Sequence, residues 1–200
     1  MTEIKFCGLS RPVDIEAANE LSPQYIGFVF AKKSKRYVTP EKAKELKALL
    51  RPEIKAVGVF VNESAEVIAQ LLNEGVIDLA QLHGTEGKEE IAAMRALTKK
   101  PLIQAFQIKS ESDITAAEES AADLILLDSG AGTGTTMDWE PLKTVKRPFF
   151  LAGGLDPVNV ADAIRTCHPF AVDVSSGIET EGVKDPDKMR AFQAAVYKEA

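Results

Sequence analysis

Short apolar runs and amphipathic stretches alternate along the whole chain. The apolar runs predict strands near residues 3–7, 25–30, 55–60, 77–82, 102–106, 123–127, 148–152 and 170–174. Most are rich in β-branched and aromatic residues and apolar nearly throughout, as in Tyr25-Ile26-Gly27-Phe28-Val29-Phe30 and Ala56-Val57-Gly58-Val59-Phe60-Val61. Strands covered on both faces look like this, as parallel strands are. Between them, Thr39-Pro40, Asp156-Pro157 and Asp185-Pro186 each set a good N-cap before a proline at the first helical position. Helical spacing follows in Ala43, Leu46, Leu49 and Leu50 and again in Met189, Phe192 and Val196. The run Val67, Ile68, Leu71, Leu72 stops at Gly75, which reads as a C-terminal cap. The pattern predicts eight strands and eight helices in one domain over residues 1–200. Such an alternation points to a (β/α)₈ TIM barrel, a closed parallel sheet; a doubly wound open sheet alternates similarly and is the competing arrangement.

Composition narrows the partners. The 200 residues carry 24 basic and 30 acidic side chains, a formal net charge of −6. Nucleic acid and anionic membrane surfaces both call for a basic face, so neither is expected. An anionic ligand would need a locally positive site within an acidic protein. Two cysteines, Cys7 and Cys167, are too few for a disulfide framework and fit a reducing cytoplasm. No signal peptide and no run of 18 apolar residues is visible, so a soluble, cytoplasmic chain is expected.

In a barrel the chemistry gathers at the C-terminal ends of the strands. The unusual residues fall there: Cys7-Gly8 after strand 1, Ser34-Lys35-Arg36 after strand 2, His83-Gly84 after strand 4 and Asp128 after strand 6. Ala152-Gly153-Gly154 follows strand 7 and Ser175-Ser176-Gly177 follows strand 8. Two glycine loops in succession let backbone N–H groups approach an anion, so Gly153, Gly154, Ser176 and Gly177 form a candidate phosphate site. Asp128 leaves an apolar strand, where burial would disfavour its charge and suit a general acid; a plain loop aspartate is the alternative. Cys7 is either a small buried hydrophobe or, if its pKa falls, a base or nucleophile. His83 is a candidate substrate contact that reads equally as a base or as a satisfied structural histidine. His168, before strand 8, reads as structural, and two distant histidines argue against a metal site. Arg36 can offer paired donors to a carboxylate, or be one solvated charge among Lys32, Lys33 and Lys35. Glu3, Lys5 and Cys7 share one face of strand 1; if that face points inward, Lys5 is buried and Asp173 on strand 8 is its candidate partner.

The motifs together resemble one family. Lys5-Phe6-Cys7-Gly8-Leu9, Gly27-Phe28-Val29-Phe30 with Ser34-Lys35-Arg36, Val59-Phe60-Val61-Asn62, Gln81-Leu82-His83-Gly84 and Leu126-Leu127-Asp128 are similar to those of the phosphoribosylanthranilate isomerases. So are Gly132-Thr133-Gly134 with Asp138-Trp139, Leu151-Ala152-Gly153-Gly154-Leu155 with Asn159-Val160, and Asp173-Val174-Ser175-Ser176-Gly177 with Gly182-Val183-Lys184-Asp185. They run nearly the length of the chain in the family's order. The resemblance implies an Amadori rearrangement of N-(5-phosphoribosyl)anthranilate in tryptophan biosynthesis. It implies Asp128 as general acid toward the ring oxygen and Cys7 as general base toward the C2 proton. It further implies Arg36 on the anthranilate carboxylate, and the phosphate on amides around Gly153-Gly154 and Ser176-Gly177 with Gly132-Thr133-Gly134. No cofactor and no metal is implied; the partner is a small phosphosugar, and the chain is a monomer or a homodimer. The loop after Asp128 looks short, with Ala131 where glycine is usual, Lys35 where proline is common and Met137 where phenylalanine is.

Three rivals stand beside this, of which a phosphosugar decarboxylase or aldolase would need a lysine placed for carbanion or Schiff-base work, and no such pair is seen at a strand end. A histidine-pathway sugar isomerase would carry an aspartate at the Cys7 position. A non-catalytic phosphate-binding barrel would keep the glycine loops without needing Cys7 or Asp128.

Overall fold

The computed structural model describes residues 1–130 and 139–199. Eight parallel strands close into a barrel in the order of the sequence: β1 (Glu3–Cys7), β2 (Tyr25–Val29), β3 (Lys55–Phe60), β4 (Leu79–Leu82), β5 (Leu102–Gln107), β6 (Leu124–Asp128), β7 (Phe149–Ala152) and β8 (Ala171–Val174). The helices are α1 (Pro12–Leu21), α2 (Pro40–Leu49), α3 (Ala65–Asn73), α4 (Lys88–Leu97), α5 (Glu111–Glu118), α6 (Val160–Cys167) and α7 (Pro186–Tyr197). An antiparallel hairpin, β9 (Glu179–Thr180) with β10 (Val183–Lys184), precedes α7 and pairs Lys184 with Glu179. The open-sheet alternative is excluded by the pairing of β1 with β8, in which Lys5 lies opposite Asp173.

The period-two rule fixes what each strand buries where. One set of side chains, including Ile4, Phe6, Ile26 and Phe28, faces the helices. The other fills the barrel in layers: Tyr25, Val57, Leu79, Ile103, Leu126 and Phe150 below, and Cys7, Val29 and Val59 above, beneath the mouth. Burying Phe-, Leu- and Ile-sized side chains at about 1.5–3 kcal/mol each makes this packing the main source of stability.

The caps divide the prolines. Thr39 accepts from the backbone of Lys42 at 3.2 Å and Asp185 from Asp187 at 2.9 Å, so both begin helices as expected. Asp156-Pro157 does not. Asp156 Oδ1 accepts from Val158 and Asn159, closing a turn, and α6 starts at Val160, three residues after Pro157. Gly75 ends α3 with φ at 74°, and its N–H reaches Leu72. Leu49 and Val67 are exposed, so the apolar stripes are narrower than their spacing suggests. The expected eighth helix is the larger correction: among the described residues seven α-helices form, and β6 is followed only by a short 3₁₀ turn, Glu140–Thr144. Residues 131–138, between β6 and this turn, lie outside the described residues.

Candidate active site

A cavity of about 490 Å³ opens at the C-terminal ends of the strands. It brings together Cys7, Arg36, His83, Asp128, Gly153, Gly154 and Ser176 from six different strand ends. Residues that sit far apart in sequence meet there because every strand of a parallel barrel runs toward the same rim.

Cys7 is nearly buried, and beneath it lies the ion pair foreseen from the spacing on β1. Lys5 is 0% exposed and its Nζ donates to Asp173 Oδ2 at 2.8 Å. Burial opposes the Lys5 charge, but Asp173 and then the Cys7 sulfur outweigh it and hold the ammonium above its ordinary range. The second oxygen, Asp173 Oδ1, is buried without a partner among the described residues. Burial pushes the Cys7 thiol up; the Lys5 charge pulls it down, Asp173 raises it again and Lys184 lowers it, for a net upward shift. The fall in thiol pKa that would favour a base is therefore absent from the resting site. Ser175 Oγ donates to the Cys7 carbonyl at 3.1 Å, tying the end of β1 to the loop after β8.

Asp128 ends β6 on the other side of the cavity. Burial does push its carboxyl up, as the strand's apolar character suggested. The His83 hydrogen bond, the Gly130 amide at 2.9 Å and the charge of His83 together reverse this and hold Asp128 below the usual carboxylate range. The expectation of a disfavoured charge is corrected: local donors outweigh desolvation. His83 Nε2 lies 3.5 Å from Asp128 Oδ2, and Gln81 Nε2 lies 2.8 Å from His83 Nδ1. The ring therefore bridges the two, Nδ1 toward the Gln81 amide and Nε2 toward the Asp128 carboxylate. His83 is thus bound to the acid rather than isolated as a base. Gln81, fully buried and missed as a functional candidate, holds the ring from its other nitrogen.

The two glycine loops differ in use. Gly153 has φ at 97°, and a Cβ there would sit 2.6 Å from Asp128 Oδ1, so only glycine lets β7 pass this close to the carboxylate. Its N–H and that of Gly154 meet no acceptor among the described residues and line the cavity. Gly177 instead packs behind the wall, where a Cβ would collide with the Leu155 carbonyl oxygen. Gly132 lies outside the described residues.

Arg36 is not the solvated loop arginine. Its Nε and Nη2 donate to the two oxygens of Glu179 at 2.5 and 2.9 Å. Lys184 Nζ reaches Glu179 Oε1 at 2.7 Å, and Lys35 Nζ approaches Oε2 at 3.4 Å. Burial would raise the Glu179 carboxyl, but the Arg36 and Lys184 hydrogen bonds and charges bring it to about 2. Three cations surround this one carboxylate beside the cavity. Glu179 was not singled out from the sequence, and Lys184 only as part of the Gly182-Val183-Lys184-Asp185 motif; each sits on its own two-residue hairpin strand, too short to show a pattern. Among the described residues no group of three or more His, Cys, Asp or Glu is arranged to hold a metal ion, and no helix is long and apolar enough to cross a membrane.

Comparison with known proteins agrees with this geometry. The family described as N-(5'phosphoribosyl)anthranilate (PRA) isomerase matches residues 4–195. An N-(5'-phosphoribosyl)anthranilate isomerase from Thermoanaerobacter sp. (strain X514) is 46% identical, over 96% of this chain and 96% of its own. The crystal structure of phosphoribosyl anthranilate isomerase from Thermotoga maritima superposes with a TM-score of 0.90 at 36% identity, covering 99% of this chain and 100% of that one. A crystal structure of the same kind of enzyme in complex with reduced 1-(o-carboxyphenylamino)-1-deoxyribulose 5-phosphate gives a TM-score of 0.88 at 36% identity, with coverage of 99% and 100%.

Proposed function

The chain belongs to the N-(5'-phosphoribosyl)anthranilate isomerase family, the aldose–ketose isomerases of tryptophan biosynthesis, and from that premise we propose that Cys7 and Asp128 are its catalytic pair. The observation that carries the assignment is their position on one cavity, at the ends of β1 and β6, beside the amides of Gly153 and Gly154, which have no acceptor among the described residues. Those amides, with the Ser176 loop, hold the phosphate; Gly177 serves by letting that loop press against Leu155. Arg36 holds the anthranilate carboxylate, so both ends of the substrate are fixed and its reacting carbons are held between sulfur and carboxyl.

Asp128 in its acid form protonates the ribose ring oxygen. The C1–O bond breaks, the nitrogen lone pair forms the Schiff base, and Asp128 becomes a carboxylate. Cys7 as thiolate then takes the C2 proton, the C2 electron pair moves into an enolamine, and tautomerisation gives the 2-ketone. The resting site favours the opposite arrangement, thiol and carboxylate. The two arrangements hold the same number of protons. The working form is reached by moving one proton between them, and the limbs of the pH–rate profile belong to the pair rather than to either residue. His83 keeps Asp128 aimed into the cavity. Both cysteines are free, in keeping with a cytoplasmic setting.

The test is turnover of freshly made phosphoribosylanthranilate, followed by the loss of its anthranilate-type fluorescence. Cys7→Ala and Asp128→Asn should each lower kcat by roughly 10²–10⁴-fold while inorganic phosphate still binds. Wild-type turnover in either variant removes that residue from the mechanism.

A further inference from the structure

Glu179 presents a physical puzzle. A site that takes an anionic substrate keeps a buried carboxylate within hydrogen-bond reach of its arginine, where it cancels part of the attraction. Glu179 does not line the cavity, so it meets the substrate only through Arg36, which does. A guanidinium has five N–H donors arranged as two carboxylate-sized edges. Glu179 takes the Nε/Nη2 edge with both oxygens. Nη1 has no protein partner among the described residues, so the Nη1/Nη2 edge is left over.

We propose that Glu179 is the positioning residue for the substrate's carboxylate: it clamps one edge of Arg36 so that the other edge is presented, preoriented, to the cavity. The inference rests on the reading of Arg36 as the holder of that carboxylate. The clamp itself cannot swing. Lys184 Nζ, itself bound to the Ser175 carbonyl at 2.9 Å, grips Glu179 Oε1 at 2.7 Å, and β9 pairs Glu179 with Lys184 across the hairpin. Freezing a long side chain in advance removes an entropy loss otherwise suffered on binding. It also sets the plane in which the anthranilate ring must lie, since a two-pronged contact fixes orientation as well as distance. Charge balance is kept because Lys35 and Lys184 restore what Glu179 removes.

Glu179→Gln tests this, read against two ligands: reduced 1-(o-carboxyphenylamino)-1-deoxyribulose 5-phosphate and the same molecule lacking the ring carboxylate. The amide turns an N–H₂ toward Nη2 and breaks the two-pronged grip. The expected result is roughly tenfold weaker binding of the carboxylated ligand, a matching rise in KM with kcat changed far less, and unchanged binding of the ligand without carboxylate. In an Arg36→Met background the further change Glu179→Gln should do nothing. Equal weakening of both ligands, or no weakening of either, overturns the proposal and leaves Glu179 as a brace for the hairpin. If Glu179→Gln does not fold, Glu179→Asp keeps the charge while shortening the reach and is expected to show the same selective loss in smaller measure; an unselective loss there is equally decisive. Arg36→Met alone separates this from the reading beneath it: if that variant binds both ligands as the wild type does, the assignment of Arg36 itself is wrong.

Discussion

Breaking the Lys5–Asp173 pair should reveal how the sulfur is supported. Lys5 has no exposed surface, and its one carboxylate partner is Asp173 at 2.8 Å. Removing one member of such a pair leaves an uncompensated charge in the barrel, a loss of about 3–5 kcal/mol in comparable buried pairs. Lys5→Met and Asp173→Asn should therefore each lower Tm by roughly 6–20 °C, taking about 2–4 °C per kcal/mol for a domain of this size. The double variant removes both charges and keeps an amide in the barrel, for a net loss of about 1–3 kcal/mol. The interaction energy from the cycle is then about 3 kcal/mol or more. Urea unfolding at neutral pH followed by circular dichroism measures all four proteins. The sign with pH is fixed too. The Lys5 ammonium is held above its ordinary value of 10.5 in the folded chain, so its contribution is complete below that value and disappears as the pH rises through the higher folded one. Lys5→Met should lack that alkaline loss. Single effects that add to the double within about 0.5 kcal/mol would refute the reasoning, because independent residues cannot be compensating each other's charge.

Three further outcomes follow from the same geometry. The thiol of Cys7 should titrate higher in Lys5→Met and lower in Asp173→Asn, since the first removes a cation and the second an anion beside it; iodoacetamide alkylation rates against pH would read this, and shifts of the same sign sink it. Gly153→Ala forces a methyl to within 2.6 Å of Asp128 Oδ1 at a backbone angle that disfavours it. It should cost about 1–3 kcal/mol in stability and roughly 10²-fold in kcat, and wild-type turnover would dismiss the close-approach argument. His83→Asn takes away the largest influence holding Asp128 down, so the acid limb of kcat/KM should move to higher pH; an unmoved limb would mean that His83 does not act on Asp128.

Strand positions were legible because both faces of each strand are covered, so composition alone marks them: the strand expected at 3–7 forms as Glu3–Cys7 and that at 55–60 as Lys55–Phe60. The strand expected at 77–82 forms only from Leu79, because Asp78 turns its carboxylate back to the Ala56 amide at 2.7 Å. Of the eight helices the alternation predicts, seven form among the described residues, and after β6 these residues show the 3₁₀ turn Glu140–Thr144. In the site, Cys7, Arg36, His83 and Asp128 could be seen by their placement after strands. What they do to one another could not, since it depends on contacts across the mouth. Asp128 looked like a carboxyl pushed up by apolar neighbours; only the amide of Gly130 and the ring of His83, neither marked by periodicity as its partner, reverse that. Glu179 was invisible for the same reason: its importance lies in reaching Arg36, 143 positions away along the chain.

The pairing of the first strand with the last has a temporal consequence. Lys5 and Asp173 are separated by 168 positions, and Cys7 and Ser175 by the same span. A growing polypeptide therefore carries its sulfur, and the ammonium beside it, well before the carboxylate that neutralises that ammonium, 168 residues after Lys5. Loop closure over such a span comes late and slowly. Competence to turn over substrate should arrive in one step, when the final stave docks, rather than accumulate as the staves are added.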